Sequence, residues 1–541
     1  MRSYRGVIFL WVLNAVQAGY AADESPAQQQ QDPEIPAEQQ NAPAPGKHRF
    51  NIWEFRVEGN TLLDDRLVER TVYPFLGTGK SIQDVEAAQQ ALEAFYRDSG
   101  FPTVVVDIPE QNVSEGIVHL KVVQGTVSRV RITGSRYFSL GRIRSRMTAL
   151  SEGDVVYLPE LQRQLRDINR ASPDRTVTPV FRPGHTPGTV EVELRVKDEL
   201  PIHGDIELNN RYSRDTTKLR ASATLRYANL WQREHSASVM YQTAPEDRDE
   251  VEVWAGTYVM PAGSGSVLAT YAVDSKSDVA TAGDLTVLGT GTILGVRYIK
   301  SLPDRDRYFH SAVLGVDYKD FKDDVVPVDG GSSDTPIDYT NFLAQYRGTL
   351  LGSKARTGFG LSVDFGVRGL GNTEKEFENK RYGAKPNYLY VGAFGEFTYT
   401  FDPGIQFYLG LDGQLADSPL VSNEQFRAGG AESVRGYLES QDLGDDGITA
   451  NLELRTPSFA DKVPYVSKMH FLAFFDASKL RIRQPLPSQK SHYELYSTGI
   501  GVRIEGDHGL SASLDWAWPL KDVTDVEKGD SRAHFSLQYG F

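Results

Sequence analysis

The alternation of hydrophobic and polar positions separates this chain into an N-terminal part with helices and a long C-terminal part without them. After Ser81, apolar residues recur at three- and four-residue steps: Ile82, Val85, Ala88, Leu92 and Phe95. This spacing places them on one face of a helix. Ser81 with Asp84 resembles a capping box, and Gly100 ends the periodic segment. The pattern therefore predicts an amphipathic helix that packs against a small core.

The segment around this helix has the pattern of a small module, and the order of its elements repeats further along the chain. Residues 50–124 predict strand, helix, helix, strand, strand. Residues 126–198 predict the same order, with a strand at Val127–Thr133, a helix near Leu140–Leu150, a helix begun by Pro159, and strands at Val177–Phe181 and Thr189–Val196. We therefore predict two α+β modules that are repeats of one another.

From Gly204 to Phe541 the pattern changes to segments of about ten residues with period-two alternation, and no convincing helical periodicity is found. The first segment lies near 204–212 and the last at 532–541, and sixteen strands are predicted in all. Turn-forming residues separate them. The prediction for residues 204–541 is a 16-stranded antiparallel β-barrel.

The connections between these strands alternate in length. Connections after even-numbered strands are short, whereas those after odd-numbered strands become long, as at 274–288, 321–338, 369–386, 416–446 and 478–494. Two connections break the rule, a short one near Ser213 and a longer turn over 456–468. Short periplasmic turns and long extracellular loops are typical of outer-membrane barrels. A soluble β-sandwich also alternates, but it needs no such asymmetry.

The last strand also favours a membrane barrel over a sandwich. One of its faces is apolar and consists of Phe535, Leu537, Tyr539 and Phe541. The other face carries His534, Ser536, Gln538 and Gly540. A chain that ends on an aromatic residue of the apolar face resembles the sorting signal of outer-membrane barrels, and this implies outer-membrane lipids and the barrel-assembly machinery as partners.

Composition narrows the classes of function. The 541 residues include no cysteine, which excludes disulfide frameworks, thiolate metal sites and cysteine nucleophiles. A net charge of −14 gives no reason to expect a nucleic-acid partner. A mean hydropathy of −0.39 excludes a bundle of membrane helices but not a barrel, whose lumen-facing positions are polar.

The N-terminus predicts export from the cytoplasm. Arg2 and Arg5 precede an apolar run from Val7 to Val16 and then small residues, which is the pattern of a signal peptide over 1–21, and the run is too short for a membrane anchor. Residues 22–48 are rich in Pro and Gln and cannot bury enough apolar surface to fold, so they predict a disordered linker.

Catalytic chemistry is not predicted. No Ser-His-Asp set is apparent, Gly263-Ser264-Gly265 lacks the spacing of a nucleophile elbow, and the ten histidines show no metal-ligand spacing. We therefore predict no enzyme activity, no cofactor and no metal.

One long connection carries a specific motif. The segment 416–446 contains Val434, Arg435, Gly436 and Tyr437 in sequence. The order of signal, linker and two βααββ modules resembles polypeptide-transport-associated (POTRA) domains, although two generic interaction domains would share the pattern. A Val-Arg-Gly-Tyr motif in the sixth long loop of a sixteen-strand barrel behind two such modules resembles the two-partner secretion outer-membrane transporters, which include the filamentous-haemagglutinin and haemolysin-activation/secretion translocators.

The resemblance implies the function and the roles of two residues. It implies an outer-membrane translocator with periplasmic POTRA domains at 50–124 and 126–198, whose partner is a large secreted exoprotein with an N-terminal secretion domain. It also implies that the loop folds into the lumen, where Arg435 contacts Asp476 of the thirteenth strand. Residues 22–48 lack the apolar face of the plug helix that many members of this family carry. A barrel-assembly insertase, a porin and an outer-membrane enzyme are the alternatives.

Overall fold

The computed structural model describes residues 49–541 except 114, 264, 278, 283–284, 323, 326–332 and 488. The predicted signal peptide and linker lie outside the described residues. The chain divides into two compact units, and the boundary between them falls at Pro201 and Ile202.

The first module of the N-terminal unit packs its helices on a three-stranded sheet. Its strands are Phe50–Ile52, Glu54–Glu58, Gly77–Lys80, Val104–Asp107 and Ile117–Gln124, and its helices are Asp65–Val72, the short 3-10 turn Tyr73–Phe75, and Ile82–Asp98. Strand 117–124 is central, parallel to 54–58 and antiparallel to 104–107. Val85, Leu92 and Tyr96 of the long helix are buried in the core.

The capping box at this helix is present, and one strand pair beside it was not predicted. The backbone N–H and the hydroxyl of Ser81 donate to Asp84 at 2.8 and 2.9 Å, and these hydrogen bonds lower the pKa of the Asp84 carboxyl. Strand 77–80 pairs with 50–52 as a separate two-stranded sheet. Its sequence, Gly-Thr-Gly-Lys, has no apolar alternation, so the backbone pairing leaves no signal in the sequence.

The second module repeats this topology. Its elements are the strand Thr126–Thr133, the helices Leu140–Arg146 and Leu158–Arg170, the 3-10 turn Thr148–Leu150, and the strands Arg175–Pro183 and Thr189–Asp198. Strand 189–198 is central, parallel to 126–133 and antiparallel to 175–183. The predicted helix 140–150 is in fact α-helical only to Arg146. Among the described residues, no helix is both long enough and apolar enough to cross a membrane.

Sixteen antiparallel strands close into a barrel in the C-terminal unit. In chain order, and called barrel strands 1 to 16, they are Ile202–Asn209, Arg220–Leu230, His235–Thr243, Glu252–Pro261, Ser266–Lys276, Gly291–Ser301, Tyr308–Phe321, Ile337–Leu351, Ala355–Gly371, Leu389–Thr400, Gln406–Ala416, Asp446–Arg455, Val466–Arg481, His492–Gly506, Leu510–Pro519 and Arg532–Gly540. Strand 16 pairs with strand 1 over 536–540 and 205–209. Gly204 and Phe541 extend this seam by exchanging two backbone hydrogen bonds of 2.9 Å.

Each predicted strand overlaps an observed one, and the differences lie in the connections. The connection near Ser213 runs from 210 to 219 and is therefore longer than predicted, because strand 1 ends at Asn209 and strand 2 begins at Arg220. A helix of two turns, capped by Thr373 and Glu376, lies in this region at Glu374–Lys380, where no helical periodicity was found in the sequence. A helix this short shows too few turns for periodicity to be read from the sequence.

Side chains alternate between the outer and inner faces of the wall, as the period-two pattern predicted. On strand 13, Phe471 and Phe475 are exposed on the outer surface, whereas Phe474 and Asp476 are buried on the inner side. On strand 16, Leu537 and Tyr539 are exposed and His534 is buried. Inward-facing positions therefore carry the polar groups that the long loops contact.

Candidate functional site

The connection 417–445 between strands 11 and 12 packs against the inner face of the wall. Its motif residues Val434, Arg435 and Tyr437 are fully buried. Three glycines in this connection have positive φ: Gly429 at 107°, Gly430 at 103° and Gly436 at 93°. L-residues with a side chain rarely adopt such φ values. The glycines let the chain turn back into the lumen with the motif at its inner end.

The Arg435 guanidinium makes a two-bond fork with the carboxylate that the family resemblance implied. Its Nε lies 2.6 Å from Asp476 Oδ2, and its Nη2 lies 2.7 Å from Asp476 Oδ1. The Arg435 backbone N–H also donates to Oδ2 at 3.2 Å. A planar guanidinium matches a carboxylate in this geometry, which fixes both distance and orientation. The fork therefore ties the loop to strand 13.

A second carboxylate shares the guanidinium, and the sequence analysis did not identify it. Arg435 Nη1 donates to Glu453 Oε1 at 2.8 Å, and Arg455 binds the other Glu453 oxygen at 2.7 and 2.9 Å. Asn451 donates to Asp476 at 2.7 Å. Because side chains alternate along a strand, Asn451, Glu453 and Arg455 lie on one face of strand 12. This alternation could have identified Glu453 as a partner once the loop was expected to fold into the lumen.

The remaining contacts of the motif orient it further. The Arg435 guanidinium lies 3.3 Å from the centre of the Phe474 ring, a cation–π contact. The Gly436 backbone N–H donates to His534 Nε2 at 2.9 Å, and the Tyr437 hydroxyl is 3.0 Å from the carbonyl oxygens of Tyr496 and Lys521. The motif thus contacts strands 12, 13, 14 and 16 and the connection that follows strand 15.

The four residues of the proposed C-terminal signal do not join this site. Leu537, Tyr539 and Phe541 are exposed on the outer face, and Phe535 is half-buried. The Tyr539 and Phe541 rings lie 6.3 Å apart. They form an apolar stripe that is suited to lipid contact.

The same loop is tied to the opposite side of the barrel by a carboxylate that the sequence analysis missed. Glu424 is buried, and its Oε1 accepts from Lys319 Nζ at 2.5 Å and from the Tyr339 hydroxyl at 2.6 Å. The Tyr390 hydroxyl donates to Oε2 at 2.9 Å. These three donors stand on strands 7, 8 and 10. The loop therefore crosses the lumen from one wall to the other.

A third cluster joins the loop to its neighbours. Arg381, in the connection 372–388, forms a two-bond fork with Asp445 at 2.5 and 2.6 Å. Asp445 also accepts from the backbone N–H groups of Leu420 at 2.8 Å and Arg483 at 2.7 Å. Nothing in the linear sequence links these three connections, since the partners are up to about a hundred residues apart along the chain.

These clusters position a loop by charge and hydrogen bonding. Among the residues that the structure describes, no group of three or more His, Asp or Glu side chains could hold a metal ion. Removing one partner of a buried pair such as Arg435 and Asp476 costs about 3–5 kcal/mol, because the other charge is left unpaired. The geometry can hold the loop in one position against a polar wall.

Comparison with known proteins gives two family matches. Residues 50–125 match the model described as POTRA domain, ShlB-type, and residues 188–504 match the model described as haemolysin secretion/activation protein ShlB/FhaC/HecB. The outer membrane transporter CdiB of Dickeya dadantii (strain 3937) is 23% identical over 492 residues, which cover 87% of this chain and 83% of the relative.

Two solved structures share the fold. CdiB from Escherichia coli matches with a TM-score of 0.60 and 19% identity, covering 93% of both chains. BamA from Haemophilus ducreyi lacking POTRA domains 1–3 matches with a TM-score of 0.56 and 14% identity, covering 91% of this chain and 100% of the other. The second family model spans more than half of the chain. The chain therefore belongs to the ShlB/FhaC/HecB family of haemolysin secretion/activation proteins, outer-membrane transporters of two-partner secretion.

Proposed function

We propose that this transporter binds one unfolded exoprotein in the periplasm and passes it through the barrel lumen to the outside. The observation that carries the proposal is the closed wall with a polar inner face, crossed by a loop that hydrogen bonds and ion pairs hold. An extended chain in transit needs hydrogen-bond partners for its backbone groups, and a polar inner face can supply them. The driving force is folding of the passenger outside.

Capture is assigned to the two periplasmic modules, of which the second, 126–198, serves as a second POTRA domain. Strands 104–107 and 175–183 lie at the edges of their three-stranded sheets. An extended segment can add to such an edge, and the backbone hydrogen bonds then supply affinity with little demand on sequence. The partner is a large exoprotein with an N-terminal secretion domain. The barrel's own insertion depends on the barrel-assembly machinery and on outer-membrane lipids.

Deletion of residues 50–198 tests the capture step. The sixteen strands close on themselves without the modules, so the truncated protein should still insert as a heat-modifiable barrel. Export of a co-expressed candidate exoprotein, normalised to the amount of inserted barrel, should stop. Export at the full-length rate would show that capture does not need these modules.

One observation favours a second candidate, a barrel-assembly insertase that works at the seam. The ladder between strands 1 and 16 covers 205–209, with further backbone hydrogen bonds at Gly204 and Asn210, whereas strand 1 pairs with strand 2 over 202–209. A ladder with fewer register pairs costs less free energy to open. The seam is therefore the place to separate the two functions by experiment.

A further inference from the structure

We propose that the connection 372–388 is a latch that closes the extracellular end of the lumen and that it releases when a passenger passes. The connections after odd-numbered strands are extracellular in a barrel whose N-terminus enters from the periplasm. Three of them meet at Asp445 of the connection 417–445, which binds Arg381 of the connection 372–388 and Arg483 of the connection after strand 13.

Arg381 is the centre of the latch. Besides its fork with Asp445, its Nη1 donates to the Leu420 carbonyl oxygen at 2.5 Å and its Nη2 to the Arg483 carbonyl oxygen at 3.3 Å. One side chain therefore joins three extracellular connections. Asp445 itself is fully buried, so loss of Arg381 leaves its charge without the cation that pairs with it.

An apolar contact inserts the same connection into the barrel. Phe377, on the short helix Glu374–Lys380, is only 1% exposed, although it belongs to an extracellular loop. Its ring lies 5.6 Å from that of Tyr339 on the inner face of strand 8. Leu420 and Val421 of the lumen-crossing loop are buried in the same cluster. The helix thus fills space that a passenger would have to cross.

The two ends of the lumen-crossing loop differ in how easily water can replace their contacts. At Arg435 the guanidinium and both carboxylates are 0% exposed. At the other end the Arg381 side chain is 16% exposed and that of Lys319 is 13% exposed. Partial exposure lowers the cost of separating an ion pair, because water solvates the charges as they part. The latch end should therefore release first, with the Arg435 end as the pivot.

Single-channel recording on full-length protein in planar bilayers tests the latch. Arg381→Ala and, independently, Phe377→Ala should each raise the open-channel fraction several-fold over wild type. The matched control is Arg368→Ala, which removes an exposed ion pair with Glu374 at the start of the same helix and should change nothing. Arg381→Lys keeps the charge but not the fork, so it should give an intermediate open fraction.

An export assay on the same variants adds a second measurement, which rests on the proposed passage through the lumen. The Arg381 and Phe377 variants should keep at least wild-type export, because export needs the latch open. An unchanged open fraction in both heat-modifiable variants would overturn the latch, whatever the export result. Increased conductance with export lost from both would also overturn it, since the loops would then serve transport rather than closure. Failure of the proposed function alone would leave the conductance difference in place.

Discussion

Arg435 makes a specific contact with each part of its guanidinium group. Its guanidinium forms the fork with Asp476, donates a hydrogen bond to Glu453 and lies with one face over the Phe474 ring. A lysine ammonium is a compact charge that cannot form the planar fork. The type of residue at this position is therefore determined by geometry as well as by charge.

Removing either partner of the fork should stop export and leave the barrel intact. Arg435→Ala and Asp476→Ala should each yield inserted, heat-modifiable protein, because the closed backbone ladder stabilises the wall. Export per barrel should fall strongly in each. The double variant should be little worse than either single variant, since a shared interaction is lost only once. Arg435→Lys should restore part of the export.

The matched control for these variants is Arg481→Ala. Arg481 lies on the same strand as Asp476, but its side chain is 55% exposed. Its Nε is 3.7 Å from Asp446 Oδ2, which is too far for a hydrogen bond. Its loss should not change export. Wild-type export from either alanine variant of the fork, or additive defects in the double variant, would contradict the assigned role.

Gly436→Ala should reduce export because the added Cβ combines backbone strain with close contacts at the motif. Gly436 has φ of 93°, and an added Cβ would lie 3.3 Å from Ala517 Cβ and Pro519 Cδ. The left-handed conformation alone costs a residue with a side chain about 1–2 kcal/mol. Gly369→Ala is the control, because Gly369 has φ of 89° with no atom within 4 Å of the added Cβ. Equal export from the two variants would show that the contacts at the motif do not matter.

At the scale of elements, Asp198 holds the turn after the first strand of the second module. Its carboxylate accepts from the backbone N–H groups of Arg136, Tyr137 and Phe138 at 2.9 to 3.3 Å and from the Ser135 hydroxyl at 3.0 Å. Burial by itself would raise the pKa of Asp198, but these hydrogen bonds outweigh it and lower the pKa. A lowered pKa stabilises the fold above the ordinary value of the group, and the stabilisation is lost as pH falls through the folded-state value.

Hydrogen exchange at residues 136–138 should report this contribution. After correction for intrinsic rates, protection should be high at neutral pH and lost under strongly acidic conditions. Asp198→Asn should show the acid behaviour already at neutral pH, because a neutral amide accepts these bonds more weakly. Asp167→Asn, an exposed position in the same module, should exchange as wild type. Unchanged protection in Asp198→Asn would refute the assignment.

Elements were predictable where a periodic apolar face gives them a signal. Helix Ile82–Asp98 has nearly five turns and a capping box, and it lies where the sequence analysis placed it. Strand Gly77–Lys80 and helix Glu374–Lys380 were missed. The strand is held by backbone pairing, and the short helix buries only the side chains of Phe377 and Lys380. Neither kind of contact leaves a repeat that can be read along the chain.

At the scale of the whole molecule, the route of export can be tested at the seam. The chain has no cysteine, so an engineered pair reacts alone. Leu208 and Leu537 are register partners across strands 1 and 16. Paired antiparallel residues lie about 4.5–5.5 Å apart between Cα atoms, within the range of about 4.4–6.8 Å that a disulfide spans. Leu208→Cys with Leu537→Cys should lock the seam on oxidation and leave export unchanged.

The control pair is Leu225→Cys with Val239→Cys, which are register partners on strands 2 and 3 and are both exposed on the outer face. Both oxidised proteins should export as well as their reduced forms. A block confined to the locked seam and reversed by reduction would place the active opening between strands 1 and 16. That result would favour the insertase.

The sequence by itself predicted the modules, the sixteen strands and the alternation of loop lengths, and the resemblance to a family implied the pairing partner of Arg435. These features depend on local periodicity and on one motif that resembles a family, and both can be recognised in the linear sequence. Only the tertiary structure decided that Glu453 shares Arg435, that Glu424 reaches strands 7, 8 and 10, and that Arg381 binds Asp445. The physical reason is that a closed barrel brings residues from distant strands to facing positions around one lumen, and no spacing in the sequence encodes which of them meet.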